Sequence, residues 1–565
     1  MVKTLKNLRK ILDKRQITFV LLLIIGAFIV SLLEILSLSL AIPIVGFVTN
    51  EANTNQILDL VNHLNLNINI DFVILVFFLT YIFKIIFTLF ISILKENFIY
   101  KAGLKISHKL LKIYLSQPFL FFRTLTPSHL VRNLSQEVLN FISLLSSLII
   151  IFSETIILFV IFTFLLFFNV KITLTITIII LISVFLYNYF FKKKIQSWAK
   201  ERQGTRLNIT TNLTEAIKCI REIKLSSKED SLLKNFFNNQ SKEMKFHIRI
   251  NIAQLSPRLF FEFIMIISVM LILLYGFNLN KLDNVFSTIS IFILSGARFI
   301  PSFSKIVAAI QNYRFNSISS DLMVEELNLE NQIPKQINEI EQDNKKDFKD
   351  NLTLNDICFN YKNSDFLFKD INLEIKKNQK ILLTGESGSG KSTLLDLLAG
   401  LIKPTNGNII LDNEINIYDN FNHWKNIIAF VAQENFFFNK SIKENITQSE
   451  IFDEEKFKNL VEKVDLTDVF NKFPQGVETI MGESGIKLSG GQLQRLAIIR
   501  AIYSNPKFII LDECTSALDS KNEKKVLELL NQLDTTIIFS SHKTNIEKYF
   551  DRTFKIENKK LIKIN

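Results

Sequence analysis

The chain has 565 residues, 48% of them hydrophobic and 52 of them Phe, against 16 Gly, 9 Pro and 21% charged residues. That length exceeds one hydrophobic core, and the mixture of very apolar and very polar segments excludes a disordered chain and points to membrane and soluble parts together. The net charge of +12 does not signal nucleic acid, because Lys and Arg concentrate in loops between apolar spans, where anionic lipid headgroups are the nearer partner.

The chain opens with Lys3, Lys6, Arg9, Lys10, Lys14 and Arg15, then turns apolar from Ile17 to about 47. The run is too long for the apolar stretch of a signal peptide and lacks a small-residue cleavage site, so it predicts a first membrane helix. Too few residues precede Ile17 to hold a fused peptidase. Further spans are predicted at 72–94, 138–168, 172–191, 259–275 and 286–310. Loop charge sets their orientation. Residues 49–71 carry no Lys or Arg, whereas 95–132 and 192–258 are rich in both, which puts the N-terminus, both long loops and the second half on the cytoplasmic side. The helical composition of 97–115 and 204–223 predicts that the spans continue as helices past the bilayer.

Glu34, Lys84, Glu154, Arg258, Glu262 and Arg298 fall in or beside these spans, where an ionised group costs free energy and needs a reason. In one reading Arg258 and Arg298 snorkel to headgroups or pair with Glu262 and Glu34. In the other, Lys84, Arg258 and Arg298 face one basic cavity suited to a phosphate or diphosphate headgroup. From 321 to 350 the sequence turns polar and reads as a solvated linker between residues 1–320 and 351–565. Cys219, Cys358 and Cys514 lie far apart without metal-ligand or redox spacing, so neither a disulfide framework nor a metal cluster is expected.

After Leu352 short apolar runs alternate with helical stretches, the pattern of an α/β domain with a largely parallel sheet. Here Gly385-Glu386-Ser387-Gly388-Ser389-Gly390-Lys391-Ser392-Thr393 follows the apolar run 381–384 and opens a helical one. Strand, glycine loop and helix N-terminus together make a P-loop: backbone amides wrap phosphates, Lys391 supplies charge and the Ser392 hydroxyl reaches magnesium. The strand 508–511 ends in Asp512-Glu513, an acid able to hold magnesium beside one able to polarise water. Leu488-Ser489-Gly490-Gly491-Gln492 opens another helix and offers a second anion-binding terminus, which one nucleotide per domain does not need.

Leu488 to Gln492 resembles the signature motif of ATP-binding cassette proteins, and the order of the other motifs agrees. The resemblance implies that this segment closes over the ATP held by the P-loop of a second copy. It further implies that Tyr361 stacks on adenine, that Gln433 contacts magnesium and senses the membrane domain, that Asp512 binds the metal and that Glu513 is the general base. Ser516-Ala517-Leu518-Asp519 would be the D-loop and His542 the switch histidine at the γ-phosphate. Cys514 departs from the alanine common at that position, without functional consequence.

The expected fold class is therefore multidomain: an all-α membrane domain of six transmembrane helices with long cytoplasmic extensions, then an α/β P-loop NTPase domain. The whole resembles an ABC exporter half-transporter of the inner (cytoplasmic) membrane, working as a homodimer with ATP and Mg2+, with coupling helices expected near 118–123 and 226–231. Ser287 to Phe292, Ala297 to Ser302, Ser256-Pro257-Arg258 and Lys84 resemble bacterial lipid-linked oligosaccharide flippases, which implies a glycolipid cargo. An exporter of peptides or hydrophobic drugs is the alternative, and a membrane-anchored regulatory ATPase a further one.

Overall fold

The computed structural model describes residues 2–49, 70–168, 170–278, 282–332, 348–361, 365–447, 452–482, 488–543 and 545–564. The chain divides into two compact units, Met1–Gln117 with Phe121–Lys335, and Pro118–Leu120 with Gln336–Asn565.

The first unit is built on six helices of 31 to 50 residues: Lys14–Thr49, Ile70–Leu115, Val138–Phe168, Val170–Lys218, Glu229–Asn278 and Leu282–Asn328. Each contains one of the predicted spans. Lys14–Ser37, Asp71–Leu115 and Pro127–Phe167 are long and apolar enough to cross a membrane; the other three predicted spans include side chains outside the described set, that of Arg298 among them. The helices do run past the apolar stretches, with an interruption at Cys219 before the short helix Ile220–Ser226. Of the two expected coupling positions, 118–123 falls mainly on the short helix Phe119–Thr124. The other, 226–231, is a turn rather than a helix of its own, because Ser227 takes the left-handed conformation (φ 49) and Glu229 already begins the next helix.

Pro257 sits inside the helix Glu229–Asn278. A proline there has no N–H to give the carbonyl four residues back, a defect that costs about 3 kcal/mol in an unsupported helix. The carbonyl concerned is that of Ala253, and Tyr187 Oη donates to it at 2.8 Å from the neighbouring helix. Tyr187 is itself buried and stacked on Phe191, ring centroids 4.6 Å apart, so the orphaned acceptor becomes a helix-to-helix tie.

The polar stretch from 321 is not a tether at its start. The last long helix continues to Asn328 because Met323 is fully buried and Leu322 and Leu327 pack on the same cluster as Leu8 and Leu12. Asp321 accepts from Lys3 Nζ at 2.8 Å and Asn7 Nδ2 at 2.7 Å, which fastens the N-terminal helix Val2–Ile11 to it. Composition alone weighs the acids of this segment and misses their spacing, which leaves one apolar stripe.

The second unit has two sheets. An antiparallel one has the order β2 (Phe368–Lys376), β1 (Asn351–Phe359), β4 (Asn406–Leu411), β5 (Ile415–Asn416). The other runs β10 (Lys560–Lys563), β9 (Arg552–Glu557), β3 (Lys380–Gly385), β8 (Thr536–Ser540), β7 (Phe508–Asp512), β6 (Ile428–Val431), parallel except for the β9–β10 pair. Successive residues of a strand point to opposite faces. Leu382, Ile509, Leu511, Ile537 and Phe539 therefore enter one buried cluster, and Ile381, Leu383, Phe508, Ile510 and Ile538 the other. With both faces covered, the strands read as unbroken apolar runs.

Candidate nucleotide site

Parallel strands leave their C-terminal ends on one edge of the sheet, where ligands of α/β folds bind. The order β3-β8-β7-β6 brings four such ends side by side, followed in turn by Glu386, Ser541, Glu513 and Ala432. The predicted residues 385–393, 433, 512–513 and 542 thus converge although 157 residues separate Gly385 from His542.

The P-loop bends because glycine permits it. Gly390 has φ +104, and a Cβ there would lie 2.7 Å from the Phe368 ring. It caps the helix Lys391–Leu398, whose first amide groups are donors without intrahelical partners. Lys391 is buried, and its Nζ donates to Gly385 O at 2.9 Å and Glu386 O at 3.1 Å. Burial pulls its ammonium below the usual lysine range, while Glu513 and Asp512 pull the other way. Ser389 Oγ is buried in the loop without a hydrogen-bond partner among the described residues. Such an orphan needs a partner. An unpartnered hydroxyl beside a lysine and a helix N-terminus, reached through the flexible Ser387-Gly388 turn, is chemistry that fits phosphate.

Glu513 is the hub. His542 Nε2 lies 2.7 Å from its Oε1, Gln433 Nε2 donates to its Oε2 at 3.1 Å, and Lys391 Nζ stands 3.9 Å away. His542 Nδ1 is 3.1 Å from Gly385 O. Asp512 accepts from Ser540 Oγ at 2.6 Å, and that hydroxyl takes the Glu513 N–H at 3.0 Å. The oxygens of Asp512, Gln433 and Ser392 are hard donors of the kind magnesium prefers. Tyr361 bonds through its hydroxyl to Thr393 Oγ1 at 2.9 Å and meets Phe359 edge-on.

The signature segment is built differently. Ser489 caps the helix Gly490–Tyr503 in a reciprocal box with Gln492: Gln492 N donates to Ser489 Oγ at 3.3 Å and Ser489 N to Gln492 Oε1 at 2.8 Å. Leu488 packs on the core. A Cβ on Gly491 would come 3.0 Å from Ala517 O and 3.2 Å from Leu518, so glycine lets 516–519 lie on this helix. Gln494 fixes the contact, donating to Ser516 Oγ at 3.1 Å and accepting from Ala517 N at 3.0 Å. Asp519 caps the next helix, Ser520–Asn531. No hydrogen bond among the described residues joins 488–492 to 385–393.

Four side chains that the motifs do not name, Thr515, Glu523, Ser540 and Lys543, brace the site. Glu523, buried, accepts from Thr515 Oγ1 at 2.9 Å and from Lys543 Nζ at 2.9 and 2.7 Å. It links the residue before Ser516 to the residue after His542. A hydroxyl at the end of an apolar strand is the signal that would mark Ser540; Glu523 carries none.

Two of the three cations expected in a basic cavity are described, and each has an acidic partner. Lys84 pairs with Glu34 at 3.3 Å, both side chains nearly buried, and lies 4.2 Å from the Tyr81 ring centroid. Arg258 pairs with Glu262 at 2.8 Å, both side chains exposed. The Arg298 side chain lies outside the described set.

Residues 20–298 match the ABC transporter transmembrane region, and 368–516 match the ABC transporter domain. The chain belongs to the ABC transporter family. This ABC transporter carries both parts in one chain, the half-transporter arrangement. It is 29% identical over 82% of its length to the lacticin-481/lactococcin-DR transport/processing ATP-binding protein of Lactococcus lactis, and 40% identical over 34% of its length to an ATP-dependent lipid A-core flippase of Ralstonia nicotianae. The matched stretches span 66% and 33% of those two proteins. A bacterial Atm1-family ABC exporter with ATP bound has the same fold, with a TM-score of 0.75 and 16% identity over 97% of this chain and 94% of the other.

Proposed function

We propose that this chain is one half of a two-fold ABC exporter of the inner membrane that couples ATP hydrolysis to moving a lipid-linked oligosaccharide or related glycolipid. The observation that carries the ATPase part is the meeting of Glu513, His542, Gln433 and Lys391 around one carboxylate at the sheet edge. ATP with Mg2+ supplies a γ-phosphate open to attack by water. Ser389, Lys391 and the loop amides would hold the phosphates, and Ser392, Gln433 and Asp512 would hold the metal. Glu513 takes the proton of the attacking water, and His542 faces the same place from the next strand. Tyr361 would exchange its Thr393 bond for adenine stacking.

Ser489 to Gln492 engage no P-loop residue of their own chain, which supports closure over the ATP of a second copy and hence a homodimer. The alternating loop charge supports a cytoplasmic N-terminus and nucleotide-binding domain. The glycolipid cargo rests on the flippase-like residues around 256–258 and 287–302; the likeness to a lipid A-core flippase supports a lipid cargo in general. A peptide cargo is the second reading, favoured by the extent of the match to the lacticin transporter.

Proteoliposomes separate the two. The expected result is ATP-dependent movement of a fluorescent glycolipid between leaflets, absent in Glu513→Gln. Movement of a labelled peptide into the lumen, with the glycolipid left in place, would reverse the cargo.

A further inference from the structure

The membrane unit carries an open cleft of about 350 Å³, at the low end of the roughly 300–1,000 Å³ found for small-molecule sites. Its polar wall is Glu96, Tyr100, Ser143, Ser146, Gln254 and Asn312, drawn from four of the long helices. The serines at 143, 146 and 147 are spaced i, i+3, i+4 and so share one helix face.

Hydrogen-bond accounting tells what this wall has left to offer. Ser147 Oγ is used twice: it donates to Ser143 O at 2.8 Å and accepts from Asn312 Nδ2 at 2.8 Å. Ser143 Oγ accepts from Asn312 at 2.9 Å and from Asn316 at 3.3 Å. Both its lone pairs are engaged, and its O–H remains to be given. Asn312 Oδ1 accepts from Asn316 at 2.8 Å, so the carboxamide cannot turn over. No hydrogen bond engages Ser146 Oγ, the Gln254 carboxamide or the Tyr100 hydroxyl among the described residues. Glu96 is held by Lys95 at 2.9 Å.

The wall therefore presents one fixed donor, three groups that both give and take, a carboxylate that only takes and a flat aromatic ring, with no Lys or Arg lining it. A phosphate accepts only, and would meet the Glu96 carboxylate, whose neighbouring cation Lys95 is already paired with it. A hydroxyl both gives and takes from one atom, and a ring carrying several matches this mixture.

We propose that this cleft receives an uncharged, hydroxyl-rich ring, a sugar of the transported glycolipid, and not its phosphate. The inference rests on the glycolipid reading above. It assigns cargo recognition to Ser143, Ser146, Gln254 and Tyr100 in place of Lys84 and Arg258.

The test uses the full-length protein in phosphatidylcholine nanodiscs, with glucosyl-diacylglycerol as the sugar probe and phosphatidylglycerol as the anionic control. Retained lipid is counted by native mass spectrometry and ATP turnover is followed alongside. The sugar lipid is expected to be retained over the anionic one. Joint replacement Ser146→Val with Gln254→Leu, which breaks no side-chain hydrogen bond among the described residues, should weaken retention roughly 3- to 10-fold. Ser146→Thr keeps the hydroxyl and should behave as the parent.

Undiminished retention in the double variant, or a preference for phosphatidylglycerol, overturns the assignment. ATP-driven lipid movement that ignores the headgroup would end the cleft inference and leave the exporter standing. Selective sugar retention without any ATP turnover would do the reverse.

Discussion

Glu513 and His542 meet across the ends of two neighbouring parallel strands, Nε2 2.7 Å from Oε1, and Ser540 ties both strand ends together by accepting the Glu513 N–H and donating to Asp512. Glu513 also sits at φ 46, a conformation that a β-carbon disfavours and that persists only where the surroundings fix it. Such strain at a carboxylate aimed into a phosphate site is consistent with a general base.

Glu513→Gln keeps the size but leaves one accepting oxygen where there were two, and cannot take a proton. ATP turnover should fall by roughly 100-fold or more, while ATP binding, measured by equilibrium dialysis, stays within about threefold of the parent. Turnover at the parental rate would remove Glu513 from the base role.

The Thr515–Glu523–Lys543 cluster yields a stability prediction. Glu523 is buried and accepts three bonds. Glu523→Ala strands the Thr515 hydroxyl and frees Lys543 to swing into solvent, since its side chain is 42% exposed. Bonds to a charged group are worth about 1.5–3 kcal/mol each at most, and water recovers the lysine, so the net loss should be about 2–3 kcal/mol. Thermal unfolding of the purified protein reads it. Lys543→Met should cost less than Glu523→Ala. Equal costs would mean that the carboxylate is not the centre of the cluster.

Cysteine reactivity follows from burial. Cys514 is fully buried and burial pushes its thiol well up, with Asp512 and Glu523 adding to the effect. Cys219 is exposed at a helix break. Only a thiolate is alkylated, so maleimide at neutral pH should label Cys219 in the folded protein and reach Cys514 after denaturation. At pH 9 Cys514 should still be protected, because burial holds its thiol protonated. Peptide mass mapping distinguishes the sites, and early labelling of Cys514 would contradict the burial.

Much of the nucleotide site could be read from sequence because its residues occur in short, ordered motifs at strand ends, where Gly385, Asp512 and His542 each follow an apolar run. Glu523 could not, since its role depends on partners 8 residues before it and 20 after it that only the fold brings together. In the membrane unit hydropathy locates the long helices, yet it misjudges 321–328, where three apolar side chains outweigh a polar composition. It also says nothing of which charges pair. Lys84 and Glu34 are 50 residues apart on different helices, and neither spacing nor composition joins them.

That pair carries the last prediction. Lys84 and Glu34 are nearly buried, with 12% and 6% of their side chains exposed, in spans where an unpaired charge is costly. If they hold the first two long helices together and do not bind cargo, removing one partner must hurt more than removing both. Glu34→Gln leaves a buried ammonium without its counter-charge, a loss of about 3–5 kcal/mol by analogy with other broken buried pairs. Joint replacement Glu34→Leu with Lys84→Met substitutes apolar volume for both charges and should come within about 1 kcal/mol of the parent or exceed it. Thermal unfolding in detergent reads the stability of each variant, and glycolipid-stimulated ATP turnover reads function. Turnover retained by the stable double variant would make the pair structural. Turnover lost from a double variant as stable as the parent would return Lys84 to the cargo path.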